Sequence, residues 1–128
     1  MSVTGVELEK TRYKKSYGDK GEELAALYLE QAGYRIMEKN FRCRQGEIDI
    51  IAREKQYLCF IEVKRRKDIT SGHPFEAINP WKIKRICKTA LFYLQTHHLS
   101  DATPVRFDVI SIVGEEVSLL RDAFSFQY

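Results

Sequence analysis

The sequence predicts an α/β domain with a central mixed sheet flanked by helices, in the order αβββαββ. Three observations carry that prediction. A segment with helical apolar spacing is followed by three β-rich runs, a second helical segment opens on a proline, and two further β-rich runs close the chain. At 128 residues, with 44% hydrophobic and 30% charged residues, the chain can build one ordinary core but not two. Its composition excludes a core-poor disordered chain.

Residues 1–15 form a polar, basic arm without periodicity, and residues 16–128 form the single domain. From Asp19 to Gln31 the positions Leu24, Leu27, Tyr28 and Ala32 recur at helical spacing, with Gly33 as the stop. Asp19 and Glu22 fit an N-cap with its glutamate partner, a use of Glu22 that needs no catalysis. Tyr34 to Phe41 reads as a strand. Gly46 to Ala52 and Tyr57 to Arg65 then read as a hairpin joined through a short charged turn.

Asp68 to Ile78 is a Gly/Pro/Ser-bearing loop, and its His73 has no triad partner nearby in sequence. Asn79 followed by Pro80 is a cap and first-turn pair, because asparagine accepts an orphan amide hydrogen and proline has none to lose. The helix they start runs to about His97, where His97 and His98 suit the negative dipole end. Ile83, Ile86, Cys87, Ala90, Leu91 and Leu94 form its apolar face, and Lys82, Lys84, Arg85 and Lys88 are placed on the opposite, outward side. Trp81 has two readings, stacking on an exposed base and packing against its own domain, and packing is favoured because a tryptophan at a helix N-terminus more often packs. Val105 to Val113 and Val117 to Arg121 are strand-like, with a Gly114-Glu115 turn between them. The aromatic tail FSFQY covers a core edge.

Charge is uneven along the chain. Arg53 to Lys88 carries ten Lys or Arg against four acids, a local +6, whereas the residues from Thr89 onward carry a local −3. A basic middle attracts polyanions such as nucleic acid, although a solvated basic face gives the same count. Cys43, Cys59 and Cys87 are odd in number, widely spaced and lack a CxxC pair, which suggests neither a disulfide framework nor a zinc site and fits reduced thiols in a cytoplasmic protein. No apolar run is long enough to imply a membrane.

Two acids stand inside the hairpin. With the turn on Lys55 and Gln56, Asp49 is expected opposite Glu62 and Glu47 opposite Lys64. Like charges facing each other destabilise a sheet, and a divalent cation reverses that sign. Two carboxylates can hold Mg²⁺ or Mn²⁺ with water and substrate phosphate completing the shell, and an adjacent Lys64 can stabilise developing negative charge. The plainer alternative is a Glu47–Lys64 salt bridge, with Asp49 and Glu62 simply facing water.

Asp49 followed thirteen residues on by Glu62-Val63-Lys64, behind a helix bearing Glu22 and Glu23, resembles the PD-(D/E)XK nuclease superfamily. The blocks GDKGEELAALYLEQAGYRI, NFRCRQGEIDIIA, FIEVKRR, PFEAINPWKIKRI and RFDVI resemble, over roughly Lys14 to Phe126, the YraN family of small bacterial proteins assigned to that superfamily. Ile48 stands where the superfamily pattern has proline. The resemblance implies a restriction-endonuclease-like fold similar to Holliday junction resolvases, with Asp49 and Glu62 as metal-binding acids and Lys64 as catalytic lysine. It also implies Glu22 as the helix glutamate that reaches the metal or its water; Glu23 is a spare candidate for either the cap or that role, and the Val63 carbonyl is read as an added ligand.

The expected function is a metal-dependent DNA endonuclease acting on branched or damaged DNA. Arg65, Arg66 and Lys67 at the strand end, with Lys82, Arg85 and Lys88 on the second helix, are candidate phosphate contacts. Asp108, between Phe107 and Val109, is read as structural or as supporting the site. A homodimer is a further expectation. The alternatives are a non-catalytic nucleic-acid-binding module and a DNA-processing interaction protein on the same fold.

Overall fold

Runs such as IDIIA and LCFIEV carry apolar residues at successive positions, a pattern that suits strands covered on both faces. The computed structural model describes residues 17–67 and 79–127, with side chains from residue 21 onward. Among these, α1 (Tyr17–Gln31), β1 (Arg35–Cys43), β2 (Gly46–Glu54), β3 (Tyr57–Arg66), α2 (Pro80–Thr96), β4 (Val105–Val113) and β5 (Glu116–Phe124) follow in the expected order. The N-terminal arm and the loop Asp68 to Ile78, with His73, lie outside the described residues.

The five strands lie side by side in chain order, β3 and β4 parallel and the other neighbours antiparallel. A parallel pair needs a crossover, and α2 is part of it. One face carries α1, whose Leu24, Ala25 and Leu29 pack with Ile50, Ala52, Ile61, Ile110 and Ile112. The other carries α2, whose Ile86, Cys87, Ala90 and Tyr93 pack with Ile48, Ile51, Leu58, Phe60 and Phe107. Phe124 stacks on Phe107 at 4.9 Å and Phe126 meets the same ring edge-on at 5.3 Å. The aromatic tail therefore covers a core edge, as its composition predicts.

Local chemistry sets the element ends. At the end of α1, Gly33 adopts φ 102° and the Tyr34 amide donates to the Leu29 carbonyl at 2.9 Å, a left-handed stop that glycine accepts without strain. Helix α1 already includes Tyr17, so Asp19 is a helical residue and not the cap that the capping-box pattern suggested. For α2 the cap is as expected: Asn79 Oδ1 accepts from the Lys82 amide at 2.9 Å. His97 closes the helix, its ring Nδ1 3.0 Å from the Tyr93 carbonyl oxygen.

Gly46 opens β2 with φ 153°, and a Cβ there would meet Thr89 Oγ1 at 2.8 Å. The absent side chain lets β2 lie close against α2.

At the hairpin-turn end of the sheet a buried polar network ties β2, β4, β5 and the α1–β1 turn together. Tyr34 donates to Asp108 Oδ2 at 2.6 Å, and Arg106 donates to Asp108 Oδ1 at 2.9 Å and to Glu54 Oε1 at 2.6 Å. Arg121 donates to Glu54 Oε2 at 2.7 Å, and the Asp122 amide donates to Asp108 Oδ1 at 2.9 Å. Burial and Asp108 push the Tyr34 phenol up, while Arg106 holds its proton more firmly because of Asp108, against desolvation. Asp108 is thus structural. Such closed networks offset the desolvation of their charges.

Candidate functional site

Strict alternation along β2 breaks at Asp49. Ile48 and Ile51 both enter the core beneath α2, while Ile50 and Ala52 enter the core beneath α1. Across the ladder, Lys39 pairs with Ile50 and Phe41 with Ile48, which leaves Asn40 opposite Asp49; Asn40 holds φ 55°. The left-handed Asn40 marks a local departure from the pleat beside Asp49, while the register shift of the β1–β2 ladder lies between Ile36 and Glu38.

The β2–β3 register is the expected one from Glu54↔Tyr57 to Ile50↔Ile61, about a two-residue turn in which Lys55 holds φ 56°. There the ladder stops. Asp49 and Glu62 are not a ladder pair, as the sequence suggested; instead Asp49 Oδ2 accepts from the Val63 amide at 2.8 Å. The carboxylate takes a hydrogen that strand pairing would otherwise claim. The expected Glu47–Lys64 pair is also absent: Glu47 bridges Arg42 at 3.1 Å, and Lys64 lies 3.3 Å from Glu62.

Leu58, Phe60, Glu62 and Lys64 alternate onto the α2 face of β3. Glu62 is buried there, and its Oε2 receives two ammonium groups, Lys64 at 3.3 Å and Lys82 at 2.6 Å. Lys82 therefore points into the site, which corrects its assignment to the outward face of the helix. The cause is periodicity: Lys82, Ile86, Thr89 and Tyr93 follow one another at spacings of four, three and four, one face of a helix. A lysine at the mouth of that face can extend toward a buried carboxylate.

Glu47, Asp49, Glu62, Trp81, Lys82, Arg85 and Ile86 line a cleft of about 360 Å³. Within it, burial first and the Glu62 charge second push the Asp49 carboxyl up to about 7, against the Val63 hydrogen bond; Glu22 and Glu47 add to the rise. Burial and neighbouring Lys82 hold Lys64 below the usual lysine range. Desolvation lowers Lys82 too, but Glu62 and Asp49 outweigh it and leave Lys82 raised. A carboxyl poised near neutrality beside a lysine with depressed basicity marks a site whose charges interact strongly.

Glu22 is half-buried on α1 and acts on Asp49 through its charge. Glu23 instead lines a separate hollow with Ala26, Leu27, Glu30 and Lys39, away from the acid pair. Among the described residues no three His, Cys, Asp or Glu are grouped to hold a metal ion. The donor set on hand is therefore two carboxylates. That set fits Mg²⁺ or Mn²⁺, which proteins hold through one or two carboxylates while water and substrate phosphate fill the remaining positions.

The candidate phosphate contacts separate. Arg85 borders the cleft, Lys88 lies by another hollow with Gln45, Leu91, Phe92 and Gln95, and Lys67 is exposed. Arg65 and Arg66 are half-buried, and a Cβ on Gly21 would stand 3.1 Å from Arg65 Cδ, so the Arg65 stem lies along α1. Trp81 is 67% exposed at the cleft, not packed into the domain as its place in the sequence suggested.

Cys43, Cys59 and Cys87 are free thiols, and burial pushes Cys59 up to about 12. No helix of the described residues is long and apolar enough to cross a membrane.

Residues 21–112, which include Glu22, Asp49, Glu62, Lys64 and Lys82, match the uncharacterised protein family UPF0102. A UPF0102 protein of Lachnoclostridium phytofermentans is 49% identical over 111 residues, covering 87% of this chain and 94% of that protein. A UPF0102 protein of Syntrophus aciditrophicus is 50% identical over 115 residues, 87% of this chain and 90% of its own length. One from Geotalea uraniireducens is 42% identical over 119 residues, 89% of this chain and 93% of the relative. On both measures, the matched segment and the extent of identity, the chain belongs to the UPF0102, or YraN, family.

Proposed function

We propose that the protein is a Mg²⁺- or Mn²⁺-dependent phosphodiesterase that cleaves DNA, on a fold of the restriction-endonuclease-like kind. The observation that carries this reading is the convergence of Asp49 and Glu62 on one cleft, with Lys64 3.3 Å from Glu62. Asp49 and Glu62 would hold the cation, which supplies charge neutralisation at a phosphoryl oxygen and acidifies a water when bound.

The chain's own residues do the rest. Val63 fixes Asp49 through its amide, so the carboxylate is oriented before any ligand arrives. Lys64, desolvated and beside Glu62, aims a donor where negative charge develops on phosphate. Glu22 adds negative potential from α1. Lys82 neutralises Glu62 in the metal-free protein, and its long side chain can turn to phosphate when a cation takes its place.

The same Lys82–Glu62 contact, at 2.6 Å, favours one rival. A protein cation already sits on the acid, as suits a non-catalytic nucleic-acid-binding module. Single-stranded, flapped, nicked and four-way-junction DNA incubated with Mg²⁺, Mn²⁺ or EDTA separates the two. The nuclease reading predicts metal-dependent cuts, lost in Asp49→Ala and slowed by ~10²–10³ in Lys64→Ala. Binding of DNA without any cut in either metal supports the module, and equal nicking by wild type and both variants points to contamination.

A further inference from the structure

We infer that Trp81 is a stacking platform for an unpaired base, so that the nucleic acid this site takes is single-stranded, frayed or flapped beside the phosphate it engages. The inference rests on the nucleic-acid reading of the cleft and specifies its substrate class. Trp81 is the most exposed of the large apolar residues described, and it borders the same cleft as Asp49, Glu62, Lys82 and Arg85. An indole left in water at the mouth of a charged cleft costs solvation that a packed tryptophan avoids.

Its place on the helix is well defined. Pro80 and the Asn79 cap hold the first turn of α2, and the Arg85 guanidinium carbon stands 5.1 Å from the ring centroid. A cation on one face of an indole restrains the ring and leaves the opposite face to a flat partner. Arg85 lies one turn away on the same helix, beside the ring and at the cleft, placed to meet a phosphate next to a stacked base.

Substrate class follows from base geometry. Inside a duplex the faces of bases are covered by their neighbours and only the edges reach the grooves, so away from a duplex end an indole face can pair only with a base that has left the stack. An apolar protein segment is a different occupant for the same ring. Charge argues against it, because the ring shares its cleft with two cations, Lys82 and Arg85, and three acids, Glu47, Asp49 and Glu62.

The chain holds one tryptophan, so its emission reports this ring alone. The wild-type protein, in EDTA to prevent cleavage, is titrated with labelled oligo-dT and with a blunt duplex. Anisotropy follows binding and tryptophan emission follows stacking. Oligo-dT should quench emission and the duplex should not. Trp81→Ala should weaken oligo-dT binding about tenfold, with duplex binding unchanged and Trp81→Phe recovering most of the loss.

Oligo-dT binding with unchanged emission, equal quenching by the duplex, or no binding of either overturns the inference. Metal-dependent cleavage with silent emission leaves the nuclease reading standing and removes only the platform. Quenching by oligo-dT in a protein that cuts nothing does the reverse.

Discussion

Asp49→Asn is expected to divide stability from activity: metal-dependent DNA cleavage falls by at least ~10³, while the metal-free protein becomes more stable at pH 8. The folded protein holds the Asp49 proton up to about pH 7, because burial and Glu62 disfavour the anion, whereas an unfolded aspartate releases it near its ordinary value of 3.8. Between those values the folded state binds more protons than the unfolded one. Stability therefore falls as pH rises through that window, and the whole penalty is present above it.

Asparagine keeps an acceptor for the Val63 amide and removes the charge. A gain of ~2 kcal/mol, or ~8 °C in Tm, should appear at pH 8 in EDTA and vanish below pH 4. Thermal melts across pH check the sign. A variant less stable than wild type at pH 8 would contradict the account.

Asp108→Ala carries the other large effect, in the opposite direction. Asp108 is 1% exposed and accepts from Tyr34, from Arg106 and from the Asp122 amide. Its loss leaves the Tyr34 hydroxyl and the Asp122 amide without their acceptor and Arg106 with Glu54 alone, and breaking a buried ion pair of this sort costs ~3–5 kcal/mol. Tm should drop by ~12–20 °C.

Arg121 also reaches this network but is 44% exposed at its side chain, and its partner Glu54 keeps Arg106. Arg121→Ala should cost no more than ~1 kcal/mol. Chemical denaturation of both variants tests the ranking, and equal losses would contradict a role set by burial.

The order of elements was legible because each boundary has its own chemistry. Gly33 ends α1 in a left-handed conformation, and Asn79-Pro80 starts α2. The hairpin register followed from alternation and turn length through Ile50↔Ile61.

It failed one residue later, at Asp49. Counting by twos cannot register the Asn40 irregularity, nor a carboxylate that captures a neighbouring amide in place of a cross-strand partner. Both carboxylates nonetheless line one cleft, which the chain reaches by a different local route.

Lys82 and Trp81 show the limit on helices. A charge-counting view of α2 sets every lysine outward, yet Lys82 shares its face with Ile86 and reaches Glu62. Its spacing held that signal. Nothing in the sequence distinguishes an exposed Trp81 from a packed one, because exposure depends on what the fold places beside the first turn of α2.

The central claim is that Asp49 and Glu62 together hold one divalent cation. Its most direct test is Mn²⁺ binding followed by loss of the free-ion electron paramagnetic resonance signal, on wild type, Asp49→Ala and Glu62→Gln. Wild type should bind one Mn²⁺ per chain, competed by Mg²⁺, and neither variant should bind any. Undiminished Mn²⁺ binding in both variants, or none in wild type with DNA present, would contradict it.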